Sequence, residues 1–332
     1  MTNVKTRTYL FDNIKAVLII FVVSAHFIRM RGGFVPDDIG GLFYVTAFSF
    51  IMQGFFFISG YFSKNTEKCR RTAVQNFLFP YFVFMIIMHF VRYAVFGYSI
   101  FNLLKPSFGL WFFLVMFFYR YFIGKLGTVK WIVPVSLAVF IIAGCITFFG
   151  RYLALGRLFS FFLFFIVGYS FDKEKMNKIR SIHKGWALLT AALLLAAVYF
   201  INIRLSVSVE MWHLKAPSAD YGFDIVQGTI LRLIMACIAF LWIFVLIILT
   251  PDKKTCITLI GQNTLPIFVL HLPVRYIIQQ YGLPGNGNLL SCILSFLIAG
   301  ITVYILSRPV VSRLYDHALN FMYSGILKIR SV

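Results

Sequence analysis

The chain has 332 residues, 60% of them hydrophobic and 13% charged, where a soluble domain carries about a quarter charged residues. That balance, with a mean hydropathy of +0.86, excludes a soluble globular protein and reads as an integral membrane protein of many spans. The net charge of +20 would suggest nucleic acid in a soluble chain, but no basic stripe with interleaved aromatics lies outside the apolar runs, so nucleic acid is excluded as a partner.

Ten apolar runs approach the length needed to cross a bilayer, at about 14–30, 42–62, 76–97, 109–123, 131–149, 157–171, 186–203, 228–249, 257–278 and 289–307. The fourth and sixth are short. Breakers separate the runs: Gly32-Gly33 with Pro36, then Pro106, Gly150, Pro217, Pro251 and Pro284-Gly285. The expectation is an all-α polytopic bundle of about ten transmembrane helices in one domain, residues 1–332. The first run is followed by Arg29 and Arg31 rather than a small-residue cleavage site, so it reads as a retained span. With the N-terminus inside, 21 of the 31 basic residues fall on the inner side, among them Lys5, Arg7, Lys15, Arg70, Arg71 and Arg330. Both termini are then cytoplasmic and the span count even. Arg151 falls on the other side. The long outer loop, about 204–227, carries Glu210, His213, Asp220 and Asp224, and reads either as a solvated loop or as the mouth for a polar substrate. Five dispersed cysteines, Cys69, Cys145, Cys237, Cys256 and Cys292, fit neither a disulfide framework nor a zinc site and read as small core residues.

Ionisable groups inside spans cost several kcal/mol unless they are paired or face a cavity, which makes them candidates for function. His26 lies in the first run, His89 and Arg92 in the third, and His271 with Arg275 in the ninth. His26 can take a proton from an alcohol and return it to a leaving thiolate. Lys15 precedes it by eleven residues, which is three helical turns plus about 20°, so both project from one face roughly 16 Å apart. A cation at one end and an imidazole at the other suit a long anionic activated donor. For His271, Pro273 beside it offers a second reading, a histidine that satisfies carbonyls freed by a bend. His89 and Arg92 read as structural or interfacial. Nothing suggests a metal: there is no His-x-x-x-His pair or acidic cluster. No Gly-x-Ser-x-Gly or phosphate loop appears. The spans hold almost no carboxylate, which speaks against an ion-coupled carrier. Asp12, one turn before Lys15, is placed to pair with it or to suit the helix start.

Several stretches together resemble the membrane acyltransferase-3 family, most of all its fucose 4-O-acetylase-like branch. Lys15-x10-His26 is similar to that family's arginine-ten-residues-histidine signature. The others are Phe55-Phe-Phe-Ile-Ser59-Gly60-Tyr61, Arg70-Arg71 with Phe79-Pro80-Tyr81, Gly109-Leu-Trp111-Phe-Phe-Leu114, Arg157-Leu-Phe-Ser160 through Gly168-Tyr169, and Gly261-Gln-Asn263 through His271. The resemblance implies a ten-helix enzyme of the plasma membrane, of bacterial type, that moves an acetyl group from cytoplasmic acyl-CoA to a hydroxyl of a cell-surface glycan. His26 falls on the family's essential histidine. Lys15 stands where the signature has arginine, a point charge in place of a bidentate fork.

On this reading Lys15, Arg70 and Arg71 hold the CoA phosphates. His26 is the general base, either by direct transfer or through an acyl-histidine. Ser24, Ser59, Asn263 or Trp111 supplies an oxyanion contact. Arg157 and His271 are further candidate substrate contacts. Each has a plainer alternative: Trp111 and Arg157 as interfacial anchors, Ser59-Gly60 as close helix packing, Arg70-Arg71 as ordinary inner-loop charge. Acetyl-CoA is a co-substrate and no cofactor is bound permanently. The acceptor is a glycan or a lipid-linked sugar, and membrane lipid is the remaining partner. The competing function is a transporter or flippase without acyl chemistry.

Overall fold

The computed structural model describes residues 8–30, 38–146, 152–283 and 288–329, and every regular element among them is helical. In chain order these are α1 (Leu10–Ile28), α2 (Ile39–Phe48), α3 (Ile51–Tyr61), α4 (Thr66–Ala73), α5 (Phe79–Phe96), α6 (Trp111–Leu126), α7 (Ile132–Cys145), α8 (Leu155–Ser170), α9 (Lys173–Arg180), α10 (Lys184–Tyr199), α11 (Ile225–Leu249), α12 (Thr258–Gln262), α13 (Thr264–Gln280), α14 (Leu289–Leu306) and α15 (Pro309–Ile329). Among the described residues seven stretches are long and apolar enough to cross a membrane: α1, α2 with α3, α4 with α5, α8 with the 3-10 turn Tyr152–Ala154 before it, α10 with the π-helical turn after it, α11 and α14. The other three expected spans are shorter helices, α6 with 16 residues, α7 with 14 and α13 with 17. Lys5, Arg7, Arg31, Gly32, Gly33, Pro36, Gly150, Arg151, Pro284, Gly285 and Arg330 lie outside the described residues.

The N-terminal end of α1 is held by a distant segment in place of a local cap. The Asp252 carboxylate accepts from the backbone N–H of Tyr9 and Leu10 at 2.7 and 2.8 Å, two of the donors a helix start leaves unpaired. One turn on, buried Asn13 donates to the Pro251 and Lys253 carbonyls at 2.8 and 2.9 Å. Its side-chain oxygen accepts from the Thr255 and Thr258 hydroxyls. The start of α1 is therefore fixed in register against the segment that leads into α12.

The centre of the bundle is aromatic. Phe56 and Phe57 of α3, Phe113 of α6, and Phe164 and Phe165 of α8 are fully buried. Two glycines let α3 and α8 meet at backbone distance. A Cβ on Gly60 would sit 2.0 Å from the Phe165 carbonyl oxygen, and one on Gly168 would sit 2.0 Å from that of Phe57. Such close approach is how helices associate where lipid is as apolar as the side chains, and at Gly60 it is the helix packing offered as the plainer reading of Ser59-Gly60.

The second span is broken. Ser49 and Phe50 interrupt it, and Phe50 has a non-helical backbone at φ −146°, ψ −19°. Irregular backbone at membrane depth is tolerated where it lines a cavity, and the residues flanking this break do so. The five cysteines are free thiols: Cys69 and Cys292 are buried core residues as expected and Cys145 is half-buried, but Cys237 and Cys256 are exposed on the bundle surface rather than in its core. His89 bonds the Ser99 hydroxyl at 3.0 Å and its ring contacts Phe101, which ties α5 to the loop that follows it.

Candidate active site

His26 lies in the last turn of α1, buried, with its ring stacked on that of His271 at 5.0 Å between centroids. His26 Nδ1 is 2.7 Å from His271 Nε2, and His271 Nδ1 is 2.9 Å from the Ile267 carbonyl oxygen. These contacts assign the protons. A carbonyl only accepts, so His271 Nδ1 carries hydrogen and its Nε2 a lone pair. That lone pair accepts the hydrogen on His26 Nδ1. His26 Nε2 is then left with a lone pair and no protein partner. Arg275, one turn past His271, donates from Nε to the His26 carbonyl at 3.2 Å and lies over the Phe108 ring. Pro273 does not account for His271: it frees the Val269 carbonyl, two residues from the one His271 bonds.

His26 lines a cavity of about 310 Å³. Its apolar floor is Val22 of α1, Ile51 and Met52 beside the span break, Phe161 of α8 and Phe268 of α13. Trp111 and Arg157 form one wall, the guanidinium 4.4 Å above the indole, and Trp111 stacks on Phe161. A further part of the lining comes from the loop between α10 and α11: Glu210, Trp212, His213 and Lys215, with Tyr44 and Phe48 of α2. On this loop side the charged side chains are partly exposed, Arg29, Glu210 and Lys215 to 39%, 32% and 27%.

Glu210 organises that wall. One carboxylate oxygen pairs with Arg29 at 3.2 Å. The other accepts from His213 Nδ1 at 3.1 Å and from the Lys215 ammonium. These contacts, the His213 hydrogen bond foremost, hold the Glu210 carboxyl well below the usual carboxylate range despite its partial burial. Burial pushes the His213 imidazole below its ordinary value, with Glu210 opposing, so His213 is neutral at neutral pH. Its Nε2 meets the Tyr44 hydroxyl at 2.9 Å, and its ring packs edge-on against Phe48. The Trp212 indole donates to Asn202 at 3.2 Å, which fixes the loop to the π-helical turn after α10.

The Acyl_transf_3 family model, described as an acyltransferase domain, matches residues 9–308. The chain belongs to the Acyl_transf_3 family. No curated protein and no solved structure matches it significantly. It is thus an acyltransferase-3 protein, and its multiple apolar helices make it a multi-pass membrane one.

In this acyltransferase-3 chain the structure brings His26, His271, Trp111 and Arg157 to one place. The other six candidates lie elsewhere. Ser24 is buried two residues from His26, about 200° around the helix, and is not part of the cavity wall. Ser59 sits in the last turn of α3, where its carbonyl accepts from the Ser63 hydroxyl. Asn263 donates to the Ser307 carbonyl at 2.7 Å, joining the start of α13 to the end of α14. Lys15 pairs with Asp12 at 3.1 Å near the opposite end of α1 from His26. Arg70 and Arg71 are exposed on α4, Arg70 over the Tyr121 ring of α6. Tyr44, Phe108, Trp212 and Lys215 are wall residues the sequence reading did not single out. A signal for the loop existed: Val207, Val209, Met211, Trp212 and Leu214 are apolar and buried in an otherwise polar segment.

Proposed function

We propose that this protein is an O-acetyltransferase of the fucose 4-O-acetylase-like type, moving acetyl from cytoplasmic acetyl-CoA to a hydroxyl of a cell-envelope glycan, with His26 as general base. One observation supports it above the rest. The His271 contact commits His26 Nδ1, and this leaves His26 Nε2 as a lone pair in a cavity with polar walls. In the reaction the acceptor hydroxyl gives its proton to Nε2 as its oxygen bonds the thioester carbon. The C–S bond then breaks and the thiolate takes the proton back, giving ester and free CoA. A positioned base of this kind contributes about 10²–10⁴-fold.

The positive-inside bias puts the N-terminal end of α1 at the cytoplasm and the loop side of the cavity outside. The glycan then enters past Glu210 and His213, and the pantetheine arm comes from the opposite end. Lys15, with Arg70 and Arg71 on the same side by that topology, holds the CoA phosphates. Lys15 stands eleven residues before His26, roughly 16 Å along the axis, a separation comparable with an extended pantetheine arm.

The deciding experiment incubates membranes bearing the wild-type protein or His26→Ala with radiolabelled acetyl-CoA and native envelope glycan. Wild type labels the glycan and His26→Ala does not. A carrier without acyl chemistry shows no label with either protein, and full labelling by His26→Ala removes the base assignment.

A further inference from the structure

The chemistry above gives the loop wall no part beyond lying on the path of the glycan. That wall is a chain of three polar groups. Glu210 Oε2 is 3.1 Å from His213 Nδ1, and His213 Nε2 is 2.9 Å from the Tyr44 hydroxyl. An ionised carboxylate only accepts, so His213 Nδ1 donates to it. The Nε2 of a neutral imidazole then accepts, and it takes the Tyr44 hydrogen. Tyr44 therefore meets a ligand with an accepting oxygen. Lys215, bonded to the same Glu210 oxygen and lining the same cavity, meets it with N–H donors. A hydroxyl group both gives and takes a hydrogen bond and suits this pair, whereas an ether or carbonyl only accepts and an alkyl carbon does neither.

The chain is also held more firmly than a loop tether requires. Glu210 is bonded by Arg29, the residue that caps the end of α1, as well as by its loop partners, and its backbone carbonyl accepts from the Tyr221 hydroxyl at 3.2 Å. The His213 ring is wedged on Phe48 at 4.4 Å between centroids. That same Phe48 ring lies 6.3 Å from the His26 ring. Phe48 thus packs against Tyr44 and His213 and lies near His26, and all four line one cavity.

We propose that Tyr44, positioned by His213 and Glu210, reads a second hydroxyl of the acceptor, one that is not itself acetylated. The acceptor is then a polyol of the sugar type and not a simple alcohol. This rests on the acyl-transfer reading above and adds the contact that selects the acceptor. Tyr44 touches substrate, while His213 and Glu210 act through it.

The test uses the full-length protein in membranes, radiolabelled acetyl-CoA, and methyl glycosides of fucose, glucose and N-acetylglucosamine, each with its set of monodeoxy counterparts. For the best glycoside, removing one particular hydroxyl lowers wild-type kcat/KM roughly 5- to 150-fold, the effect of leaving a buried polar group unpaired. In Tyr44→Phe the complete sugar falls to about the same level, and removing that hydroxyl has no further effect. Glu210→Gln weakens the same discrimination while the KM for acetyl-CoA stays unchanged, a pattern that general loosening of the fold does not produce. It also keeps the test readable if Tyr44→Phe is poorly folded. The proposal is overturned if every deoxy sugar loses the same factor in both variants as in wild type. If wild type acetylates 1-propanol as well as it does any glycoside, the second contact is absent and acyl transfer stands. If no alcohol is acetylated and His26→Ala matches wild type, both readings fall.

Discussion

His271→Phe is the most informative change, because it keeps the ring volume at a fully buried position and deletes the atom that accepts from His26. The 2.7 Å contact fixes the hydrogen of His26 on Nδ1. Without the acceptor that hydrogen either stays buried and unpaired, or it moves to Nε2, which faces the polar cavity. A buried donor without a partner costs about 1–3 kcal/mol, so the second course is favoured by that amount. The base-competent tautomer then falls in population by roughly 5- to 150-fold, taking 1.36 kcal/mol per factor of ten. The expected result is a kcat lower by that factor with an unchanged KM for acetyl-CoA, since His271 touches His26 and not the donor. His271→Gln restores part of the rate, because its side-chain carbonyl can accept from Nδ1. The assay is the initial rate of label transfer in membranes at saturating acetyl-CoA. Since the two histidines act as a unit, adding His271→Phe to His26→Ala produces no further loss. A His271→Phe protein with wild-type kcat, or one changed only in KM, refutes the tautomer argument.

Three further outcomes follow from the same geometry. Lys15→Glu raises the KM for acetyl-CoA about tenfold while Lys15→Arg leaves it near wild type, the size expected for reversing a partly exposed charge beside a phosphate; equal values in steady-state kinetics remove Lys15 from the donor site. Glu210 has a folded pKa below its unfolded one, so its contribution is complete above the ordinary carboxylate range and is lost as pH falls through the folded value; hydrogen exchange of the 209–214 segment at pH 7 is therefore about 5- to 30-fold faster in Glu210→Gln, as loss of roughly 1–2 kcal/mol implies, and the gap narrows on acidification below about pH 4. Gly168→Ala places a methyl 2.0 Å from the Phe57 carbonyl and costs about 1–3 kcal/mol, read as a lower melting temperature in detergent, whereas Gly300→Ala, with nothing within 4 Å, is neutral or slightly stabilising.

Hydrophobic pattern made the membrane class and the helical runs legible, because burial in lipid acts on every residue of a span. The site was legible one residue at a time. His26 and His271 stood out because an imidazole in an apolar run is costly, yet their pairing joins positions 245 apart in sequence, and no local pattern encodes that. Ser24 lies two residues from His26, and helix phase turns that proximity in sequence into a different face. The break in the second span carries no proline or glycine at Ser49-Phe50, so composition gave no sign of it. The loop before α11 was read mainly from its charges, while its apolar residues decide where it goes: Trp212 and Met211 are buried and draw Glu210 and His213 onto the cavity.

That folded loop gives the cavity a second histidine, and hydrogen-bond bookkeeping decides between the two. His213 has both ring nitrogens engaged, Nδ1 by Glu210 and Nε2 by Tyr44. His271 has both engaged as well, by Ile267 and His26. Among the described residues of the cavity, His26 Nε2 is the imidazole nitrogen with no protein partner, and its ring is the one held from behind in the base-competent tautomer. A base must offer a lone pair at no cost of a broken bond, and His213 would first have to release Tyr44. The motif position and the bonding pattern therefore point to the same residue as the proposed base by independent routes. The first depends on the spacing from Lys15, and the second depends on contacts with α2, α13 and the loop before α11.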